Sequence, residues 1–327
     1  MSASSSGTTA ALALIANDMR EVDKVIGARL QSSVTLVGDV ARYIIVAGGK
    51  RLRPALLLLM CGALECRDVR RFNLAAVVEF IHTATLLHDD VVDASTLRRG
   101  RVTANEHFGN PASVLVGDFL YSRAFQMMVE TGDMRVMQIL ADATNIIAEG
   151  EVQQLVNTHD ATLTEAGYLE VIRSKTAKLF EASARLAAVL AGADAQVEQH
   201  CAEYGKALGT AFQVIDDALD YDGDVREMGK NIGDDLREGK MTLPLIIAMQ
   251  RANPGQQALL RRVIEQGATG ELTAVVDIVQ ATEAMAATRA AAAAQAQRAV
   301  DAISTLKANS YTEALLQLAA QLLVRRV

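Results

Sequence analysis

The stretch that decides the fold is LAAVVEFIHTATLLHDDVVD, residues 74–93. Its apolar residues recur at helical spacing rather than in the strict alternation of a half-buried strand. The run ends on Asp89, Asp90 and Asp93, a DDxxD pattern. On a helix Asp89 and Asp93 stand at i and i+4, on one face, with Cβ atoms about 5–6 Å apart. Like charges at that spacing repel, and these sit in an otherwise apolar helix. Such an arrangement persists when a cation neutralises it.

A second stretch, GTAFQVIDDALDY at 209–221, repeats the pattern with Asp216, Asp217 and Asp220. Asp216 and Asp220 again share a face, and Gln213 lies one turn earlier on the same side. Two acidic faces on separate helices can converge on one site. Ligands that are all oxygen point to a hard cation, and a diphosphate substrate points to Mg²⁺. One DDxxD alone could equally be a solvated helix end. Two of them, each embedded in an apolar helix and each followed by a basic loop, favour a site.

The rest of the chain reads as helix too. Residues 281–300 are dense in alanine, the best helix former, and 112–130, 167–191 and 201–221 have helical periodicity. Aromatics are 4% and strand signals are scarce. Polar loops fall at GGKRLRP (48–54), 98–111 and 221–240. No Ser/Gly/Pro linker and no repeat divides the chain. The expectation is an all-α fold: a flexible N-terminus over 1–10, then a single domain of ten or more helices over 11–327.

Composition narrows the function. Of 327 residues half are apolar and 22% charged, so the chain is globular. A net charge of −7 argues against nucleic acid as the main partner. The three cysteines, Cys61, Cys66 and Cys201, form no C-x-x-C pair, which fits a reducing compartment and no zinc site. No run reaches 18 apolar residues, and the polar start lacks the pattern of a signal peptide, so a cytoplasmic protein is expected.

Carboxylates and metal hold one side of a phosphate; the other side needs Arg and Lys. The candidates are Lys50 and Arg53 on the glycine-opened turn, Arg98 and Arg99 after the first aspartates, Lys175 and Thr176 in SKTAKLF, and Lys230 and Lys240 after the second. Any one of them taken singly reads as an ordinary surface charge. Arg51, Arg101, Lys178 and Arg237 are read as surface or supporting residues. His82 lies two turns before Asp89 on the same face, and alone it reads as a core histidine. With Glu79 it also makes the ExxH spacing of di-iron bundles, but that fold needs two such motifs and only one is present.

The segments GGKRLRP (48–54), EFIHTATLLHDDVVDASTLRRG (79–100), ANEHFGNPASVLVGDFLYSRAFQMM (104–128), SKTAKLF (174–180), GTAFQVIDDALDY (209–221) and GKNIGDDLREGKMTLPLI (229–246), in that order, resemble the trans-prenyl diphosphate synthases, and among them the bacterial octaprenyl diphosphate synthases. The resemblance implies an all-α isoprenoid-synthase bundle around a central cavity, working as a homodimer. It implies sequential condensation of isopentenyl diphosphate onto an allylic diphosphate such as farnesyl diphosphate, for quinone side chains. It assigns Lys50, Arg53, His82 and Arg99 to isopentenyl diphosphate. Asp89, Asp93 and Asp216 go to magnesium, with three ions per site once diphosphate is bound. Arg98, Lys175, Thr176, Gln213 and Lys230 go to the allylic diphosphate. Small residues at Ala84 and Thr85 imply an open tunnel and a long product, with membrane contact on release. Geranylgeranyl, heptaprenyl, solanesyl and decaprenyl products stay open. A non-catalytic partner subunit would tend to lose an aspartate cluster, and terpene cyclases generally lack the GGKRLRP turn.

Overall fold

The computed structural model describes residues 11–46, 48–98, 100–222, 233–267 and 269–323. Residues 1–10, Arg99 and Lys230 lie outside this set. The helices are α1 (Ala16–Arg29), α2 (Thr35–Val46), α3 (Leu52–Ala63), α4 (Arg70–Val92), α5 (Ala104–Phe108), α6 (Asn110–Val129), α7 (Met134–Val156), α8 (Glu165–Ile172), α9 (Lys178–Leu190), α10 (Ala195–Asp222), α11 (Asp234–Arg237), α12 (Leu243–Arg251), α13 (Pro254–Gln266), α14 (Leu272–Ala281), α15 (Ala284–Ala302) and α16 (Ser310–Leu323). Among the described residues the only strands form a hairpin, β1 (Leu97–Arg98) paired antiparallel with β2 (Arg101–Val102). The fold is all-α, as the periodicity required.

Local signals account for the helix ends. Asp133 caps α7 by accepting from the backbone N–H groups of Arg135 and Val136, and Asn253 with Gln256 makes a capping box ahead of Pro254 in α13. The apolar run of α3 is buried from Pro54 to Cys61, so this helix is enclosed on every side. Replacing any of Leu56 to Leu59 by alanine would cost about 2–5 kcal/mol. Helix α4 is nearly as deeply enclosed; it packs along α6, while α10 packs along α9 and α15.

Two clusters of buried side chains result. One gathers α3, α4, α6, α9 and the first half of α10; the other gathers the second half of α10 with α12, α13 and α14. Helix α10 passes through both, and Leu323 packs against both. Among the described residues no helix is long and apolar enough to cross a membrane.

One irregularity positions the site. Between α8 and α9 the residues Arg173–Ala177 form a π-helical turn. Gly150 of α7 and Gly209 of α10 press on it from two sides: a Cβ on Gly150 would lie 2.8 Å from the Lys175 backbone nitrogen, and one on Gly209 would lie 2.7 Å from Ala177 Cα. Only glycine permits backbones to approach this closely.

Candidate active site

A cavity of about 850 Å³ opens where α3, α4, α7, α8, the π turn, α10 and residues 234–242 meet. From α4 it is lined by His82, Thr85, Asp89 and Asp93. The Asp93 N–H donates to the Asp89 carbonyl at 2.8 Å, so the helical spacing of the two carboxylates is kept to the end of the helix. Asp90 is 1% exposed and does not line the cavity. It accepts from Arg98 Nε at 2.8 Å, and Arg98 Nη2 lies 2.7 Å from the same oxygen. The middle aspartate therefore anchors Arg98 at the cavity wall. Burial opposes the Arg98 charge, but Asp90 with Asp89 and Asp93 holds it firmly protonated.

Facing this wall, α10 presents Gln213, Asp216, Asp217 and Asp220. Asp217 accepts from the Tyr168 hydroxyl at 2.5 Å and from Gln213 Nε2 at 2.7 Å, while Gln213 Oε1 accepts from Thr176 Oγ1 at 2.9 Å. This chain of bonds ties α8, the π turn and α10 together. Burial, then the charge of Asp235, pushes the Asp217 carboxyl up to about 8 against the pull of its two donors.

The π turn directs Lys175 across the cavity. Its Nζ lies 2.6 Å from Glu151 on α7 and 3.6 Å from Asp89. π turns recur at functional sites because they re-aim side chains that a regular helix would turn away. Burial lifts the Asp89 carboxyl above the usual range; Lys175 pulls it back, and Asp93 adds to the rise. Glu151 is pushed to about 7, by burial first and by Asp89 second.

The turn at 48–54 supplies the remaining side. Lys50 and Arg53 line the cavity, with Arg53 Nη1 3.0 Å from His82 Nε2 and its guanidinium 4.5 Å above the Phe180 ring. Arginine only donates, so His82 Nε2 accepts. Arg51 has φ +44° and pairs with Asp23, a supporting contact at the start of α3. Lys178 and Arg237 pair with Glu181 and Asp234 on their own helices, and Arg101 is exposed. Ala84 is fully buried and does not line the cavity, whereas Thr85 does.

Two contributors escaped the sequence reading of the site. Glu151 is one; its signal was a polar stripe on α7, with Gln154, Asn157 and Thr158 following at helical spacing and all lining the cavity. Tyr168 is the other. Lys240, a candidate cation in the sequence, lines the same cavity with its Nζ 2.9 Å from Asp93 and 2.5 Å from Glu238.

The donor set suits a hard divalent ion. Asp89 and Asp93 offer only oxygen, each faces a lysine, and burial with mutual repulsion raises the proton affinity of Asp89, a cost that a cation relieves. Among the described residues no three His, Cys, Asp or Glu side chains form a ready-made metal cage. Asp89 and Asp93 would therefore hold a divalent ion only in part, leaving positions for other oxygen ligands.

Carboxylates on two facing helices, with lysines and arginines around one cavity, define an all-α enzyme that handles diphosphates with a divalent metal. The chain belongs to the polyprenyl synthetase family, whose profile matches residues 34–282. It is 49% identical over 303 residues to octaprenyl diphosphate synthase of Haemophilus influenzae, covering 92% of each chain. It is 48% identical over 307 residues to octaprenyl diphosphate synthase of Escherichia coli, covering 94% of this chain and 95% of that protein. A polyprenyl synthase from Caulobacter crescentus, solved with calcium and isoprenyl diphosphate, superposes with a TM-score of 0.95 at 44% identity over 98% of both chains. The chain is accordingly a prenyltransferase. Its family joins isopentenyl diphosphate to an allylic diphosphate and needs a divalent metal.

Proposed function

We propose that this chain is a long-chain all-trans polyprenyl diphosphate synthase whose product is octaprenyl diphosphate and whose metal is Mg²⁺. The observation that carries this reading is the placing of Asp89, Asp93 and Asp216 around one cavity that Lys50, Arg53, Arg98 and Lys175 also line. The two octaprenyl diphosphate synthases among its relatives support the product length.

In this reading Asp89, Asp93 and Asp216 hold three Mg²⁺ ions together with the allylic diphosphate, and the metal supplies Lewis acidity toward the departing diphosphate. Lys175, Thr176, Gln213, Arg98 and Lys230 bind that diphosphate, and farnesyl diphosphate is the starter. Lys50, Arg53, His82 and Arg99 bind isopentenyl diphosphate. Fixed positive charge aimed at the leaving group stabilises the charge that develops as the allylic C–O bond breaks, at about 3–4 kcal/mol per contact. The isopentenyl double bond then attacks the allylic carbon, and loss of a proton regenerates an allylic diphosphate one unit longer. The apolar walls keep water from the cation.

The wider setting is part of the same proposal. Residues 11–327 act as one domain in the cytoplasm, and the product supplies ubiquinone side chains with transient membrane contact on release. The chain works as a homodimer. On the outward faces of α6 and α7, Leu115, Phe125, Val129, Val152, Leu155 and Val156 are exposed at helical spacing, a patch suited to a second copy.

The test is incubation of the purified protein with farnesyl diphosphate, radiolabelled isopentenyl diphosphate and Mg²⁺, followed by mass analysis of the product. Octaprenyl diphosphate is expected, and chelation by EDTA should abolish it. A product of another length would correct the specificity alone. No elongation with any allylic starter would refute the reading.

A further inference from the structure

Helix α3 ends in a cap that brings two thiols together at the end opposite the cavity. The Cys66 N–H donates to the Cys61 carbonyl at 2.8 Å and the Glu65 N–H to the Gly62 carbonyl at 3.1 Å, while Glu65 takes φ +55°. These paired bonds around a left-handed residue make a Schellman motif, in which the side chains three residues before the cap and two residues after it touch. Here those side chains are Cys61 and Cys66. The cap therefore sets the two thiols against each other, both free. The left-handed residue is a glutamate rather than the usual glycine, and Lys307 Nζ holds its carboxylate at 2.7 Å.

The two sulfurs differ in a way that divides the labour of a redox pair. Cys61 is 1% exposed, and the neighbouring Cys66 thiol followed by burial pushes its thiol up. Cys66 is half-buried in the link to α4, and the neighbouring Cys61 thiol holds its thiol down at about 6. A thiolate that solvent reaches, beside a protonated and enclosed partner, is the arrangement of an attacking and a resolving cysteine.

We propose that Cys61 and Cys66 form a peroxide-responsive dithiol that closes into an intrachain disulfide at the C-terminal cap of α3. The Cys66 thiolate attacks hydrogen peroxide, breaking the O–O bond, and becomes a sulfenic acid as hydroxide leaves and takes a proton. The Cys61 sulfur then attacks the sulfenic sulfur. Its proton goes to the departing oxygen, which leaves as water. Two thiols are oxidised by two electrons and one peroxide is reduced to two waters. The bond spans the cap that the backbone already holds closed, so its formation requires no refolding. Arg53 lies about eight residues up the helix, roughly 12 Å away at 1.5 Å per residue, so prenyl transfer is expected to continue in the oxidised protein.

The experiment treats the full-length wild-type protein with a small excess of hydrogen peroxide, alkylates it in denaturant and measures mass intact and after trypsin. The peptide bearing both cysteines should lose two hydrogens, take up no alkyl group, and recover both sites after dithiothreitol. Cys201, buried in the core, should be alkylated throughout. In Cys61→Ser, the Cys66 sulfenic acid should persist long enough for dimedone to trap it. Full alkylation of Cys61 and Cys66 after peroxide, a sulfinic acid at Cys66 in place of the bond, or a disulfide linking two chains would each overturn the proposal. The wild-type mass decides even where a variant folds poorly.

Discussion

Asp89→Ala removes a carboxylate that Lys175 approaches to 3.6 Å and that lines the cavity opposite Asp216. Turnover is expected to fall by about two to three orders of magnitude, the loss typical when one electrostatic stabiliser of a developing charge is deleted. Circular dichroism should stay unchanged. Near-normal rates at saturating Mg²⁺ would remove Asp89 from the chemistry. Its neighbour Asp90 should behave differently, because it is buried against Arg98. Asp90→Ala leaves a guanidinium without its carboxylate, and unfolding in urea should reveal a loss of about 3–5 kcal/mol. At Cys66 the depressed thiol predicts a pH profile. A thiol whose pKa falls from 9.0 unfolded to about 6 folded binds fewer protons in the native state. Its share of stability is therefore complete above 9, and is lost as pH falls through 6. Alkylation of native Cys66 should rise to half its plateau near pH 6; a midpoint above 8 would contradict the geometry of the pair. The different fates of Asp89 and Asp90 were legible in part. The i,i+4 rule put Asp89 and Asp93 on one face and left Asp90 off it, but it could not say that Asp90 meets Arg98, eight residues on in the first strand of the hairpin.

At the scale of elements, apolar periodicity found the helices because each buries a stripe of its own sequence, a property written locally. It did not find the π turn at Arg173–Ala177 or the hairpin at 97–102. Each is only a few residues long and is held by contacts with distant segments, so its own sequence carries little signal. The glycines around the π turn carry part of the missing information. Gly209→Val would place a branched side chain where the Ala177 backbone already lies, and nothing flexible there can give way. A loss of about 1–3 kcal/mol or more in denaturant unfolding is expected, with a raised KM for the allylic substrate as Lys175 and Thr176 shift. Gly27 is the control. It sits inside α1 on an exposed face, and a Cβ there meets nothing within 4 Å. Gly27→Ala should stabilise the protein by about 1 kcal/mol through helix propensity alone. If both substitutions destabilise equally, close packing at the π turn is not what Gly209 provides.

Across the whole molecule, the sequence carried the list of site residues further than their arrangement. Eleven of the positions to which the resemblance assigns a role line one cavity: Lys50, Arg53, His82, Thr85, Asp89, Asp93, Arg98, Lys175, Thr176, Gln213 and Asp216. What motifs could not supply was the pairing inside it, such as Glu151 with Lys175 or Lys240 with Asp93, because the partners lie on different helices and meet only after folding. Product length is set at this same scale, since a growing tail must find room among several helices at once. Ala84 and Thr85 are adjacent and both small, yet they sit differently: Ala84 is sealed in the core, and Thr85 faces the cavity with its hydroxyl turned back to the His82 carbonyl at 2.8 Å. A phenylalanine at 85 would project into the space one turn below Asp89, whereas one at 84 would have to displace packed neighbours. Thr85→Phe is therefore expected to shorten the product while keeping the first condensations fast, and Ala84→Phe to cost about 1–3 kcal/mol of stability from overpacking. Chromatography of the radiolabelled products and urea unfolding of both variants separate the two effects. A full-length product from Thr85→Phe at normal rates would mean that the tail leaves the aspartates by another path.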